Sequence, residues 1–179
     1  MSNTQLFLLI NVIGGISVLG SYFICLAFYP EFRTGLWGGV DGVLRKLFAT
    51  SMLPAAIGYL VFLYFMVFKL DTGSFENQTF WEQHGPSIIC LIFLTGSTVW
   101  MPATISYLNT SNQSWWLISV TSLWISAASL IILIPVICWG TITVNPLYKY
   151  LGILGLFYIA FHCTVLDALI WVAKFPKLH

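Results

Sequence analysis

The residues with the most chemical potential lie together in one stretch, Asn145 to Lys174, which holds His162, Cys163, Thr164 and Asp167. Asp167 is the only acidic residue in the chain that falls inside a hydrophobic span. A carboxyl group is costly at that depth, so an intramembrane aspartate marks a functional site by default. Carried neutral, it donates a hydrogen bond or exchanges a proton. Carried charged, it needs a cation, and Arg45 and Lys46 at the start of the second span are the candidates for an ion pair with Asp167.

His162 lies near mid-span. At about 100° per residue it stands about 140° from Asp167, in a stripe with Tyr158 and Leu166, whereas Asp167 shares a face with Cys163, Thr164, Ile170 and Trp171. The spacing therefore predicts that the two are not a simple acid/base pair within one helix. His162 can serve as a single axial ligand to haem or chlorophyll, although hydrogen-bonded packing is the commoner use of a lone histidine. A bis-histidine haem is disfavoured, because His84 and His179 fall outside the spans. The cofactor is otherwise unspecified, and no metal-ligand spacing occurs.

Thr95 to Thr104 is the most polar stretch inside any span. Pro102 removes a backbone donor there and frees the carbonyl of Thr98, which nearby hydroxyls can re-satisfy. Thr98, Trp100, Pro102, Thr104, His162 and Asp167 are accordingly the expected lining of a ligand cavity between spans two, three and five. There is no GxSxG, HExxH or pair of intramembrane carboxylates, so ordinary hydrolytic chemistry is not expected. Gly35-Leu36-Trp37-Gly38-Gly39 lacks the following Gly-Lys-Ser/Thr of a phosphate-cradling loop.

The elements that must hold these residues are apolar. Of 179 residues, 59% are hydrophobic and 7% charged, against about a quarter charged in a soluble domain. Mean hydropathy is +0.90. The net charge of +1 gives no argument for nucleic acid. Each crossing of a hydrocarbon core of ~30 Å takes about 20 apolar residues. Five stretches qualify: 6–29, 43–70, 86–108, 114–139 and 146–174. Asn145-Pro146 is a cap-and-proline helix start for the last. Pro54 and Pro135 are expected kinks. The turn 109–113 is short enough to make spans three and four antiparallel neighbours. Ser119, Ser122, Ser126 and Ser129 form a small-residue packing stripe on span four, and Gly14, Ser17, Gly20 and Ser21 form another on span one.

The remaining features are minor. Cys25, Cys90, Cys138 and Cys163 all sit in apolar segments without CxxC spacing, which reads as buried thiols, not a disulfide framework or zinc site. The leader Met1 to Gln5 has no basic residue, and the first run is too long for a signal peptide. The loop 71–85 carries Glu76, Trp81, Glu82 and His84, read as solvated loop groups. Asn77-Gln78-Thr79 fits the glycosylation pattern.

Five crossings put Arg33, Arg45, Lys46, Lys174 and Lys177 on one side, and Lys69 and Lys149 on the other. The basic side is the inner one, so the N-terminus is expected outside and the C-terminus inside. The fold class is an all-α integral membrane bundle of five transmembrane helices in a single domain, 1–179. The leading functional reading is a multi-pass protein that binds or transports a small apolar or amphipathic ligand, proton-linked through Asp167. One alternative is a structural or accessory subunit whose small-residue stripes meet membrane-protein partners or a second copy. The other is a membrane enzyme acting on lipid or isoprenoid. The bilayer itself is the one partner common to all three.

Overall fold

The computed structural model describes residues 2–69, 80–139 and 146–176. Glu76, the Asn77-Gln78-Thr79 pattern, the side chains of Trp81 and Glu82, Asn145, Lys177 and His179 lie outside the described residues. Among those described there is no strand. Five helices are long and apolar enough to cross a membrane: α1 (Asn3–Phe28), α2 (Gly42–Lys69), α3 (Phe80–Thr110), α4 (Gln113–Trp139) and α5 (Pro146–Lys174).

Two boundaries fall earlier than the hydropathy pattern alone predicts. α1 starts at Asn3 because Ser2 and Gln5 form a capping box, the Ser2 hydroxyl accepting from the Gln5 amide at 3.2 Å and Gln5 Oε1 accepting from the Ser2 amide at 2.9 Å. This satisfies two end donors before the apolar run begins. α3 runs back to Phe80, so Pro86 lies inside the helix and does not open it. Pro54 and Pro135 likewise sit inside continuous helices. At the 110–112 turn, Ser111 takes a positive φ of 54° and Asn112 Oδ1 accepts from the Ser114 amide at 2.9 Å, capping α4.

The helices do not pack in chain order. α1 lies on α3, α3 on α4, α4 on α5 and α5 on α2. α1 closes on α2 through the last turn of α2, Phe65–Lys69, which is a π-helical turn. The bundle is therefore tight at its Lys69 end, where Phe7 meets Phe62 edge-on at 6.3 Å and the Tyr59 hydroxyl donates to Asn11 Oδ1. The Lys174 end is filled by a second aromatic cluster of Tyr107, Trp116, Trp171 and Phe175, with Trp116 and Phe175 stacked at 4.8 Å.

Polarity is distributed inside out. Asn11, Ser51, Thr104, Ser119, Ser122, Ser126, Ser129 and His162 are buried, whereas Ile16, Leu19, Phe23, Leu53 and Leu154 are each well over half exposed. In water such a shell would be a large aggregating patch. Against acyl chains it costs nothing, and Thr104, Ser119, Ser122, Ser126 and Ser129 hydrogen-bond one another or the backbone.

Two seams hold the bundle. In the α3–α4 seam the serine stripe lies on α3 as its spacing predicts. Ser119 Oγ is 2.7 Å from Thr104 Oγ1, Ser126 Oγ donates to the Phe93 carbonyl at 3.3 Å, and a Cβ on Gly96 would strike Ser126 and the Ser122 carbonyl. In the α2–α5 seam Gly58 and Gly155 meet backbone to backbone, and a Cβ on either would run into the other's carbonyl. Small residues at a crossing allow this approach.

Candidate functional site

The α2–α5 seam positions the site. About two turns beyond Gly155, α5 changes its hydrogen-bond ladder: Pro146–Phe161 is α-helical, His162–Trp171 is π-helical, and Val172–Lys174 returns to α. π-Helices are rare, usually single-turn, and frequent at functional sites. A ten-residue segment is long for the class.

This ladder overturns the angular separation predicted for His162 and Asp167. In a π-helix, residue i bonds to i+5, so residues five apart stack on one face. His162 Nε2 lies 3.7 Å from Asp167 Oδ2, within ion-pair range when the ring is protonated and beyond hydrogen-bond length. The pair thus forms within one helix after all.

The other ring nitrogen reaches across the seam. His162 Nδ1 is 2.9 Å from Ser51 Oγ on α2, and Ser51 Oγ is 3.2 Å from the Tyr158 hydroxyl one turn earlier on α5. Tyr158, Ser51, His162 and Asp167 therefore form one polar line through the middle of the span. At 1.5 Å per residue, Tyr158 to Asp167 covers roughly 13 Å along the axis. Ser51 and His162 are buried, while the Asp167 side chain keeps 24% of its surface open. Asp167 is thus less buried than Ser51 and His162.

Aromatic side chains of α1 and α3 pack on the same helix. Tyr22 packs edge-on to Trp100 at 5.8 Å, and Trp100 edge-on to Trp171 at 5.7 Å. Trp171 lies four residues after Asp167 on the same helix, and Tyr22 is within electrostatic range of Asp167 and Cys163. Trp171 is pinned, its Nε1 donating to the Leu36 carbonyl at 2.9 Å. Trp100 Nε1 and Thr164 Oγ1 are buried without a hydrogen-bond partner.

Among the residues expected to line a site, Trp100, His162 and Asp167 fall in this region. Thr104 does not: it is fully buried between Ser119 and the Trp100 carbonyl, holding α3 to α4. Thr98 donates to the Leu94 carbonyl and lines an open groove of about 330 Å³ between α1 and α3, with Leu9, Ile13, Gly14, Leu94 and Val99. Pro102 is half-buried on α3. Arg45 stacks over Trp37 at 4.5 Å, and Asp167 pairs with His162. On α4 the serine stripe is used up within the chain, whereas Gly15 and Gly20 on α1 face open space.

Although the sequence holds no hydrolytic motif, the fold brings a hydroxyl and an imidazole together, since Ser51 and His162 are hydrogen-bonded. Sequence reasoning missed Ser51 and Tyr158. Ser51 precedes Pro54 by one turn, where the Thr50 carbonyl loses its donor, yet Ser51 Oγ meets His162 and Tyr158 on α5 instead. No signal in the chain pairs Ser51 with a residue 111 positions away.

Compared with known proteins, the chain matches no family model, no curated protein and no solved structure.

Proposed function

We propose that this is an integral, multi-pass membrane protein that binds or carries a small amphipathic ligand in exchange with protons, through the His162–Asp167 pair. The observation behind this reading is the mid-span line Tyr158–Ser51–His162–Asp167, in which each group hands a polar contact to the next. Ionisable groups placed this way inside a membrane are typical of proton relays. Two orphaned polar atoms, Trp100 Nε1 on α3 and Thr164 Oγ1 on α5 itself, support a ligand. Each costs about 1–3 kcal/mol when left unpaired, which a polar headgroup would recover.

The test is proton movement in phosphatidylcholine vesicles that hold a trapped pH dye and the reconstituted chain. An imposed pH step should collapse faster with the chain present, and Asp167→Asn should remove the difference. Native mass spectrometry of the preparation should show a retained small molecule. A pH step unaffected by the chain, with no retained molecule, overturns the reading.

The same geometry favours a second reading, an enzyme acting on lipid esters. Ser51 Oγ would bond the ester carbonyl carbon, its proton would pass to His162 Nδ1, and the alcohol would leave with that proton. Asp167 would steady the imidazolium from the far side of the ring. Covalent labelling of Ser51 by a fluorophosphonate would establish this reading, and an unlabelled serine would dismiss it.

A further inference from the structure

The charge count at this site limits what the ligand can be. Asp167 is the only carboxyl group within the spans, and its charge partner is His162 on its own helix. The groups facing the pair are few. α1 contributes Tyr22 and Cys25, α2 contributes Ser51 with Arg45 and Lys46 toward the Lys174 end, and α5 contributes Tyr158 and Cys163. α4, which also packs on the π segment, carries no acidic, basic or histidine residue. Arg45 is engaged with Trp37. With one proton the pair is neutral, as imidazole and carboxylic acid or as imidazolium and carboxylate. Without that proton the site carries one negative charge in a region that penalises it.

A monocation would restore neutrality in place of the proton. The surroundings suit one: the edge-packed rings of Tyr22 and Trp100 are each partly open, and aromatic faces attract cations, more strongly where water is excluded. The α1–α3 groove, walled by Leu9, Ile13, Leu94 and Val99, ends at Ser17, five residues before Tyr22, and at Val99, the residue before Trp100, and neither ring is part of its lining. It offers an apolar body a bed leading to the aromatic pair.

We propose that the ligand is an amphipathic monocation whose charge exchanges one for one with the proton shared by His162 and Asp167, and whose apolar body lies in the α1–α3 groove against Tyr22 and Trp100. This rests on the proton-linked reading and adds the sign and stoichiometry of the exchange.

The test uses two probes of the same shape and opposite charge, tetraphenylphosphonium and tetraphenylborate, with the unaltered chain in nanodiscs of phosphatidylcholine. Binding is followed by tryptophan fluorescence, and proton release by calorimetry in buffers of different ionisation enthalpy. Tetraphenylphosphonium should bind saturably and release close to one proton. Its apparent affinity should fall about tenfold per pH unit once the pair is protonated, as competition for one site requires. Tetraphenylborate should not bind saturably. Trp100→Leu should weaken tetraphenylphosphonium several-fold while leaving one proton released, and Asp167→Asn should abolish the release. Equal binding of both probes, or cation binding without proton release in the unaltered chain, overturns the proposal. If neutral triphenylmethanol binds with Asp167-dependent proton exchange and tetraphenylphosphonium does not, the cation inference falls and the proton-linked reading stands. If no probe moves a proton, both fall.

Discussion

The α3–α4 and α2–α5 seams are built from the same kinds of residue and do different things. Both bring glycine to the crossing and both bury hydroxyls. In α3–α4, Ser119, Ser122 and Ser126 close on Thr104, on Ser97 or on backbone carbonyls. Among the described residues these hydrogen bonds end within the seam. In α2–α5 a single serine is placed between a tyrosine and a histidine, and the histidine leads to an aspartate. The bonds there continue into groups that gain and lose protons. A buried hydroxyl in a membrane helix is therefore uninformative by itself, and what it touches decides whether it is glue or a link in a relay.

The comparison breaks most severely at Asp167. Asp167→Asn keeps the size of the side chain and removes the exchangeable charge, so proton movement in vesicles should be lost entirely while the thermal midpoint in detergent changes little. Preserved proton movement together with a lower midpoint would make the aspartate structural and place both seams in the packing class. Next in size is Gly155→Leu. A side chain there meets the Gly58 backbone, so the α2–α5 seam should loosen by the upper part of the ~1–3 kcal/mol seen for overpacking, and Ser51 should separate from His162. Unfolding in a denaturant series, alongside the histidine ring signals by NMR, would register both effects.

Ser51→Ala sharpens the contrast on a finer scale. It should cost about 0.6 kcal/mol, the average for an interhelical hydrogen bond in a membrane, yet slow proton movement several-fold. Ser126→Ala in the other seam should cost a similar amount with proton movement unchanged. If both substitutions slow it equally, the division between the seams is wrong. The smallest effect is expected from Gly20→Ala, since a Cβ there meets open space. The folded monomer should be unaffected, and a change in oligomeric state on native gels would point to α1 as a face for partners.

Much of the architecture was legible in the residues. Five runs of apolar side chains with proline, asparagine and charged residues between them already imply five crossings. The three-and-four spacing of Ser119 to Ser129 already implies a packing face, and the brief turn before Gln113 already implies which helix it meets. The prominence of Asp167 was legible too, because a lone carboxyl in an apolar run is conspicuous whatever the fold. The pairings were not. Ser51, Tyr158 and the α2–α5 approach depend on contacts far apart in sequence, and Thr104 sits in a helix seam although its polar neighbourhood resembles the lining of a cavity.

The sharpest division concerns His162 and Asp167. Composition determines that this helix enters the membrane, because the transfer energy of some twenty side chains sums to one sign regardless of their arrangement. The rotation of one side chain relative to another depends on whether each amide bonds four or five residues back. Hydropathy carries no information about that choice. In the folded chain the five-back ladder runs through the segment that packs on α2 and α4, and there two ionisable groups meet that an α ladder would hold apart.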